Sequence, residues 1–219
     1  MGINVTSDVR VITDAVRRGD VVCVATDTLY ALSCDALNTQ ALKKIYNIKK
    51  RISTKPTPFF AHSIEQARQY AIFNDLALKL AHAFWPGALT IVLPTLNTSI
   101  VPSLLPKNQS TIALRIPQAS VVLKITEELD TLLVGTSANL SGGANVQNFQ
   151  DFKYQLRNVD DFTIWFFEEK QKVSFIPSTI INIITVPTPQ ILILREGAIS
   201  KQQMQKVAGK YAVLWSNER

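Results

Sequence analysis

Hydroxyl, amide and cationic residues gather at a few points of this 219-residue chain, each beside an apolar run. The densest group is Thr136-Ser137-Ala138-Asn139-Leu140-Ser141-Gly142, directly after Leu132-Leu133-Val134-Gly135. A buried strand ending in such a loop can aim side-chain donors and backbone N–H groups at an anion, and Gly142 and Gly143 carry no Cβ to block close approach. Smaller groups are Thr26-Asp27-Thr28, Lys49-x-Arg51, Thr111-x-x-x-Arg115, Ser178-Thr179 and Arg195-Glu196-Gly197. Each also has a plain reading. Thr26–Thr28 reads as a cap or turn, Lys49 and Arg51 as cations favoured at a helix C-terminus, Arg115 as the solvent side of a strand, and Ser178-Thr179 as a strand start. Together they offer many donors and few carboxylates, the chemistry of a site for a triphosphate and a small carboxylate substrate.

Other chemistries lack their signatures. There is no Gly-x-x-x-x-Gly-Lys-Ser/Thr loop and no Gly-x-Gly-x-x-Gly turn. The two histidines, His62 and His82, belong to no cluster with metal-ligand spacing, which argues against a protein-held zinc and against a Ser–His–Asp hydrolase. Cys23 and Cys34 read as packed, reduced thiols.

The elements that must position these groups follow from periodicity. Helices are expected behind Thr6–Asp8 (Val9, Ile12, Val16), behind Asn38 (Ala41, Ile45, Ile48), at Ser63, behind Asn74 (Leu76, Leu80, Phe84), over 121–129 and behind Ser200. Strands are expected over 20–25, 59–61, 89–93, 111–116, 132–136, 163–167, 179–184, 191–194 and 211–215. Several neighbouring strands have no helix between them, so a mixed sheet flanked by helices in a single α/β domain over 1–219 is expected. The polar, Pro-bearing segment 97–110 reads as a surface loop or flap. With 47% hydrophobic and 18% charged residues the chain is globular in composition, and no apolar run reaches the roughly 18 residues of a membrane span. No signal-peptide pattern opens the chain, so a cytoplasmic protein without membrane contact is expected. The net charge of +6 favours anionic partners, whether nucleotides, phosphates or RNA.

These segments, in this order, resemble the YrdC-like family of threonylcarbamoyl-AMP synthases. Ala25-Thr26-Asp27-Thr28-Leu29-Tyr30-Ala31-Leu32 is similar to the family's Pro-Thr-Asp-Thr-Val-Tyr-Gly-Leu. Lys49-x-Arg51, Trp85-Pro86-Gly87-Ala88-Leu89-Thr90, Thr111-x-x-x-Arg115-x-Pro117, Ser137-x-Asn139, Pro177-Ser178-Thr179 and Leu194-Arg195-Glu196-Gly197 complete the resemblance, which spans about 6–200. The chain departs from the pattern at Ala31, Lys50, Gln118-Ala119, Asn145–Gln147 and Asn182. The resemblance implies a YrdC-like fold with a concave basic cavity and no C-terminal second domain. It also implies a nucleotidyltransferase that makes threonylcarbamoyl-AMP and pyrophosphate from L-threonine, bicarbonate and ATP, feeding the t6A modification of tRNA. On that basis Lys49, Arg51, Ser137 and Asn139 form the catalytic set. Lys49, Arg51, Lys55, Thr111, Asn139 and Arg195 hold ATP, and Thr28, Arg115, Ser137 and Ser178 hold threonine. Mg²⁺ arrives on ATP, with no protein-bound metal or organic cofactor, and the downstream tRNA threonylcarbamoyl-transfer machinery is the implied partner. The alternative reading is a non-catalytic paralogue of the same fold that binds double-stranded RNA or nucleotide. A carbamoyl-transfer paralogue using another amine is a third.

Overall fold

The computed structural model describes residues 2–50, 57–96, 110–159, 163–184 and 189–216. Arg51, Lys55 and nearly all of the 97–110 segment lie outside the described residues. Among the described residues there are twelve strands and seven helices. In chain order they are β1 (Gly2–Thr6), α1 (Val9–Arg17), β2 (Val21–Ala25), β3 (Tyr30–Ser33), α2 (Thr39–Lys49), β4 (Phe59–Phe60), α3 (Ile64–Ala67), α4 (Asp75–Phe84), β5 (Leu89–Pro94) and β6 (Thr111–Arg115). There follow α5 (Ser120–Leu129), β7 (Leu133–Val134), β8 (Thr136–Ser137), α6 (Phe149–Gln155), β9 (Thr163–Phe167), β10 (Thr179–Ile184), β11 (Gln190–Arg195), α7 (Lys201–Ala208) and β12 (Ala212–Trp215). No described helix is long and apolar enough to cross a membrane.

The α/β class with mixed strand directions is observed, but the strands divide into two sheets where the sequence led to one. The first sheet runs β1-β9-β2-β3-β8 and the second β12-β11-β10-β5-β6-β4-β7. The division occurs within the six residues 132–137. Leu133 and Val134 pair with Phe60 and Phe59 in the second sheet, and two residues later Thr136 and Ser137 pair with Leu32 and Ala31 in the first. Gly135 makes this crossing possible. Its N–H donates to the Pro58 carbonyl at 2.8 Å, and a Cβ there would lie 2.6 Å from the Phe60 ring.

Alternation along β2 explains how the first sheet is covered on both faces. Val22 and Val24 pack with Ile12 and Val16 of α1 and Val122 and Ile125 of α5. Val21 and Cys23 point the other way, into the main core with Ile45 and Ile48 of α2 and Phe152 of α6. In the second sheet Leu89, Ile91 and Leu93 join that core with Leu76 and Leu80 of α4 and Met204 of α7. Both cysteines are buried and free, and burial pushes both thiols up.

The expected caps are in place: the side chains of Asp8, Asn38, Ser63 and Asn74 each accept a backbone N–H of the first turn, and Ser200 forms a capping box with Gln203. Three elements were not anticipated. β1 contains Gly2 and Asn4, poor strand formers, and is held by parallel pairing to β9 alone. β3 is four residues long, and α6 is a seven-residue helix capped by Asn148. Elements this short carry too few periods to be read from sequence.

Gly135→Ala should strain the crossing. The expected outcome is a loss of about 1–3 kcal/mol, seen as a lower denaturation midpoint at an unchanged slope. An unshifted midpoint would show that the Phe60 ring yields freely.

Candidate active site

A cavity of about 650 Å³ opens between the two sheets. Strand alternation decides which residues line it. β6 presents Thr111, Ala113 and Arg115, β5 presents Thr90 and Val92, and β10 presents Ile180 and Asn182 with Ser178 just ahead of it. At β11 a register shift lets Ile180 pair with Arg195 while Ile181 pairs with Ile193, so both Leu194 and Arg195 reach the cavity. The first sheet supplies Tyr30 and Ala31 of β3 and Thr136 and Ser137 of β8. Among the described lining residues the charged groups are two guanidiniums, with no carboxylate.

Arg115 is 4% exposed and held from three directions. Its Nε donates to the Gly87 carbonyl at 2.8 Å, Nη1 to Thr28 Oγ1 at 2.8 Å, and Nη2 to Asp27 Oδ1 at 2.6 Å. The Trp85-Pro86-Gly87 turn presents that carbonyl, with Trp85 Nε1 donating to Leu89 O and Gly87 N to Ile116 O. Thr26 Oγ1 donates to Leu29 O, which leaves the Thr28 proton for Thr26 and the Thr28 lone pair for Arg115. Asp27 Oδ1 also accepts from Gln118 N at 3.1 Å. Burial lowers the Arg115 pKa. The Asp27 charge and hydrogen bond raise it again, and the neighbouring Arg195 charge lowers it. Three of five guanidinium N–H groups are thus engaged among the described residues, leaving two for a ligand.

Arg195 stands at the cavity edge and is welded to Ser178: Nη2 donates to Ser178 O at 2.8 Å and Oγ at 3.2 Å, and Nε to Ser178 O at 3.2 Å. Partial desolvation lowers its pKa. Ser178 Oγ in turn pairs with Thr90 Oγ1 at 2.9 Å. This close approach depends on Gly197, where a Cβ would fall 2.0 Å from the Pro177 carbonyl oxygen.

The Ser137–Gly143 loop is braced rather than open. Ser137 Oγ donates to Asn139 Oδ1 at 2.6 Å, and Asn139 Nδ2 donates to Gly143 O at 2.6 Å. The buried Lys49 ammonium donates to the carbonyls of Ser137 and Asn139, the latter at 2.7 Å, while Ser141 N donates to Lys49 O. Gln155 of α6 completes the bracing, accepting from Leu140 N and donating to Ala144 O. Gly142 turns the loop at φ +79°.

Of the ten residues expected from sequence to form a site, Thr28, Thr111, Arg115, Ser137, Ser178 and Arg195 line the cavity. Lys49 and Asn139 stand outside that lining and hold the loop instead. Arg51 and Lys55 lie outside the described residues. The contributions of Asp27, the Gly87 carbonyl, Gln155 and Asn145 were missed. The i, i+2 rows Thr90/Val92 and Ser178/Ile180/Asn182 were legible in principle, whereas a backbone carbonyl and a loop asparagine leave no periodic signal.

Two mixed sheets enclosing a cavity with a buried, anchored arginine make this an α/β protein whose cavity offers donors suited to an anion. Residues 14–197 match the Sua5/YciO/YrdC family model, described as telomere recombination, and the chain belongs to this family. A Methanocaldococcus jannaschii protein provisionally named as a threonylcarbamoyl-AMP synthase is 34% identical over 189 residues, covering 86% of this chain and 84% of that one. The Pyrococcus abyssi threonylcarbamoyl-AMP synthase is 28% identical over 210 residues, which cover 94% of this chain and 58% of the relative. The crystal structure of P. abyssi Sua5 complexed with L-threonine superposes with a TM-score of 0.81 at 27% identity, covering 97% of this chain and 62% of that one. Escherichia coli YciO shares the fold, with a TM-score of 0.73 at 23% identity over 93% of this chain and 98% of its own.

Lys49→Met should release the loop. Removing two charge-assisted bonds to partly buried carbonyls is expected to cost about 2–3 kcal/mol, read as a lower melting temperature. A parental melting curve would show that Lys49 does not brace the loop.

Proposed function

We propose that this chain is a threonylcarbamoyl-AMP synthase, a nucleotidyltransferase that joins L-threonine, bicarbonate and ATP and releases pyrophosphate, in support of t6A formation in tRNA. The observation that carries the reading is Arg115. It is a buried guanidinium fixed by Asp27, Thr28 and Gly87, with two N–H groups left for a ligand beside the lining hydroxyls of Ser137 and Ser178. A planar, doubly donating fork suits a carboxylate, as the threonine carboxylate would require.

The chemistry asks for position and charge more than for a protein nucleophile. The threonine amine takes up CO2 from bicarbonate to form a carbamate. A carbamate oxygen then attacks the α-phosphorus, and pyrophosphate leaves with its bonding electrons. Arg195 neutralises charge spreading over the phosphates, with Thr111 as a neutral donor and Arg51 and Lys55 as further cations. Ser137 faces the amino acid. Lys49 and Asn139 shape the loop that carries it. The described lining residues offer donors and no carboxylate, and the ATP-borne Mg²⁺ enters as part of the substrate.

The test is pyrophosphate release from ATP and bicarbonate, with and without L-threonine. Release that requires threonine supports the synthase. Release driven equally by another amine supports a carbamoyl-transfer paralogue. No release, together with RNA affinity that falls steeply with salt, supports the RNA-binding alternative. Within the synthase reading, Arg115→Ala should raise the threonine KM about a hundredfold, the loss of a donor worth roughly 3 kcal/mol, with a much smaller effect on ATP. Arg51→Ala should instead impair the ATP-dependent step. Parental kinetics in both variants would overturn the assignment.

A further inference from the structure

Among the described lining residues there are two guanidiniums, and they differ in charge balance. Arg115 is ion-paired with Asp27 at 2.6 Å. Arg195 is bonded to the neutral carbonyl and hydroxyl of Ser178 and has no carboxylate partner among the described residues. We infer that Asp27 is a specificity-determining positioning residue, which sets which of the two guanidiniums takes the polyanion. This rests on the synthase reading of the site.

A triphosphate carries several negative charges and is drawn to the larger uncompensated positive charge. Asp27 cancels the Arg115 charge at a distance. At contact range the two remaining N–H groups keep their strength towards a singly charged carboxylate. Arg115 therefore discriminates against phosphate chains, and Arg195 receives them. Asp27 does this without touching ligand. It is absent from the lining of the main cavity and lies instead on a second hollow of about 570 Å³, with Gln118, Ser120 and Lys172. Its hydrogen bond from Gln118 N fixes the carboxylate and, through it, the aim of Arg115.

Inorganic tripolyphosphate tests this by calorimetry, with no turnover needed. In the parent chain, L-threonine and tripolyphosphate should bind together. Asp27→Asn keeps the size and the acceptor oxygen but removes the charge. It should bind tripolyphosphate about tenfold more tightly, now in competition with L-threonine. Asp27→Glu restores the charge, and the hollow behind it has room for one more methylene, so parental behaviour should return. Parental binding of both ligands by Asp27→Asn, or an Asp27→Glu that behaves like Asp27→Asn, would overturn the inference. A parent chain that binds no L-threonine would overturn the synthase reading instead, while the tripolyphosphate affinities of the variants would still decide the role of the Asp27 charge.

Discussion

A guanidinium taken out of water is costly unless its charge is paired and hydrogen-bonded, and burial of Arg115 imposes that demand on three separate parts of the chain. Thr28 and Asp27 come from the turn between β2 and β3 in the first sheet. The Gly87 carbonyl comes from the turn between α4 and β5, and Arg115 itself ends β6, both in the second sheet. The interaction that makes the cavity anionophilic is therefore also one that ties the sheets together. Removing Asp27 or Arg115 alone leaves the other as an uncompensated charge, so function and packing are coupled at this point.

The mouth of the cavity follows the same economy of shared contacts. Arg195 grips the backbone of Ser178, and Thr179 Oγ1 accepts from Gly197 N and Ile199 N, so the ends of β10 and β11 form one unit. The Ser137–Gly143 loop is fixed by Lys49 from α2 and by Gln155 from α6. Arg115, Arg195, Ser137 and Ser178, which face the cavity, thus each have a second group holding them, which limits reorganisation when charge develops in a reaction.

How much of this was legible depended on the range of the signal. Local patterns read well. The Asn38, Asn74 and Ser200 caps, the alternation along β5, β6 and β10, and the concentration of donors at strand ends all report on neighbours a few residues away. Six of the ten named site residues line one cavity for that reason. What the sequence hid was long-range pairing. Nothing in Leu132–Ser137 announces that one stretch serves two sheets, because the change from Leu132–Val134 to Thr136-Ser137 reads equally well as a single strand running into a loop. The resemblance implied Lys49 as a phosphate ligand, and only the fold reveals the Ser137 and Asn139 carbonyls to which its ammonium donates.

That crossing strand carries a mechanical meaning. A protein whose ligand site lies between two sheets invites the picture of jaws that swing shut. Here β7 and β8 are consecutive two-residue pairings joined by a single glycine, one in each sheet. The jaws share a bone. Spreading or closing them would break strand pairing on one side of Gly135, so the separation of the two walls is fixed at folding. Ligand then meets a gap of preset width, and the entropy of bringing the walls together is spent when the chain folds rather than at each turnover.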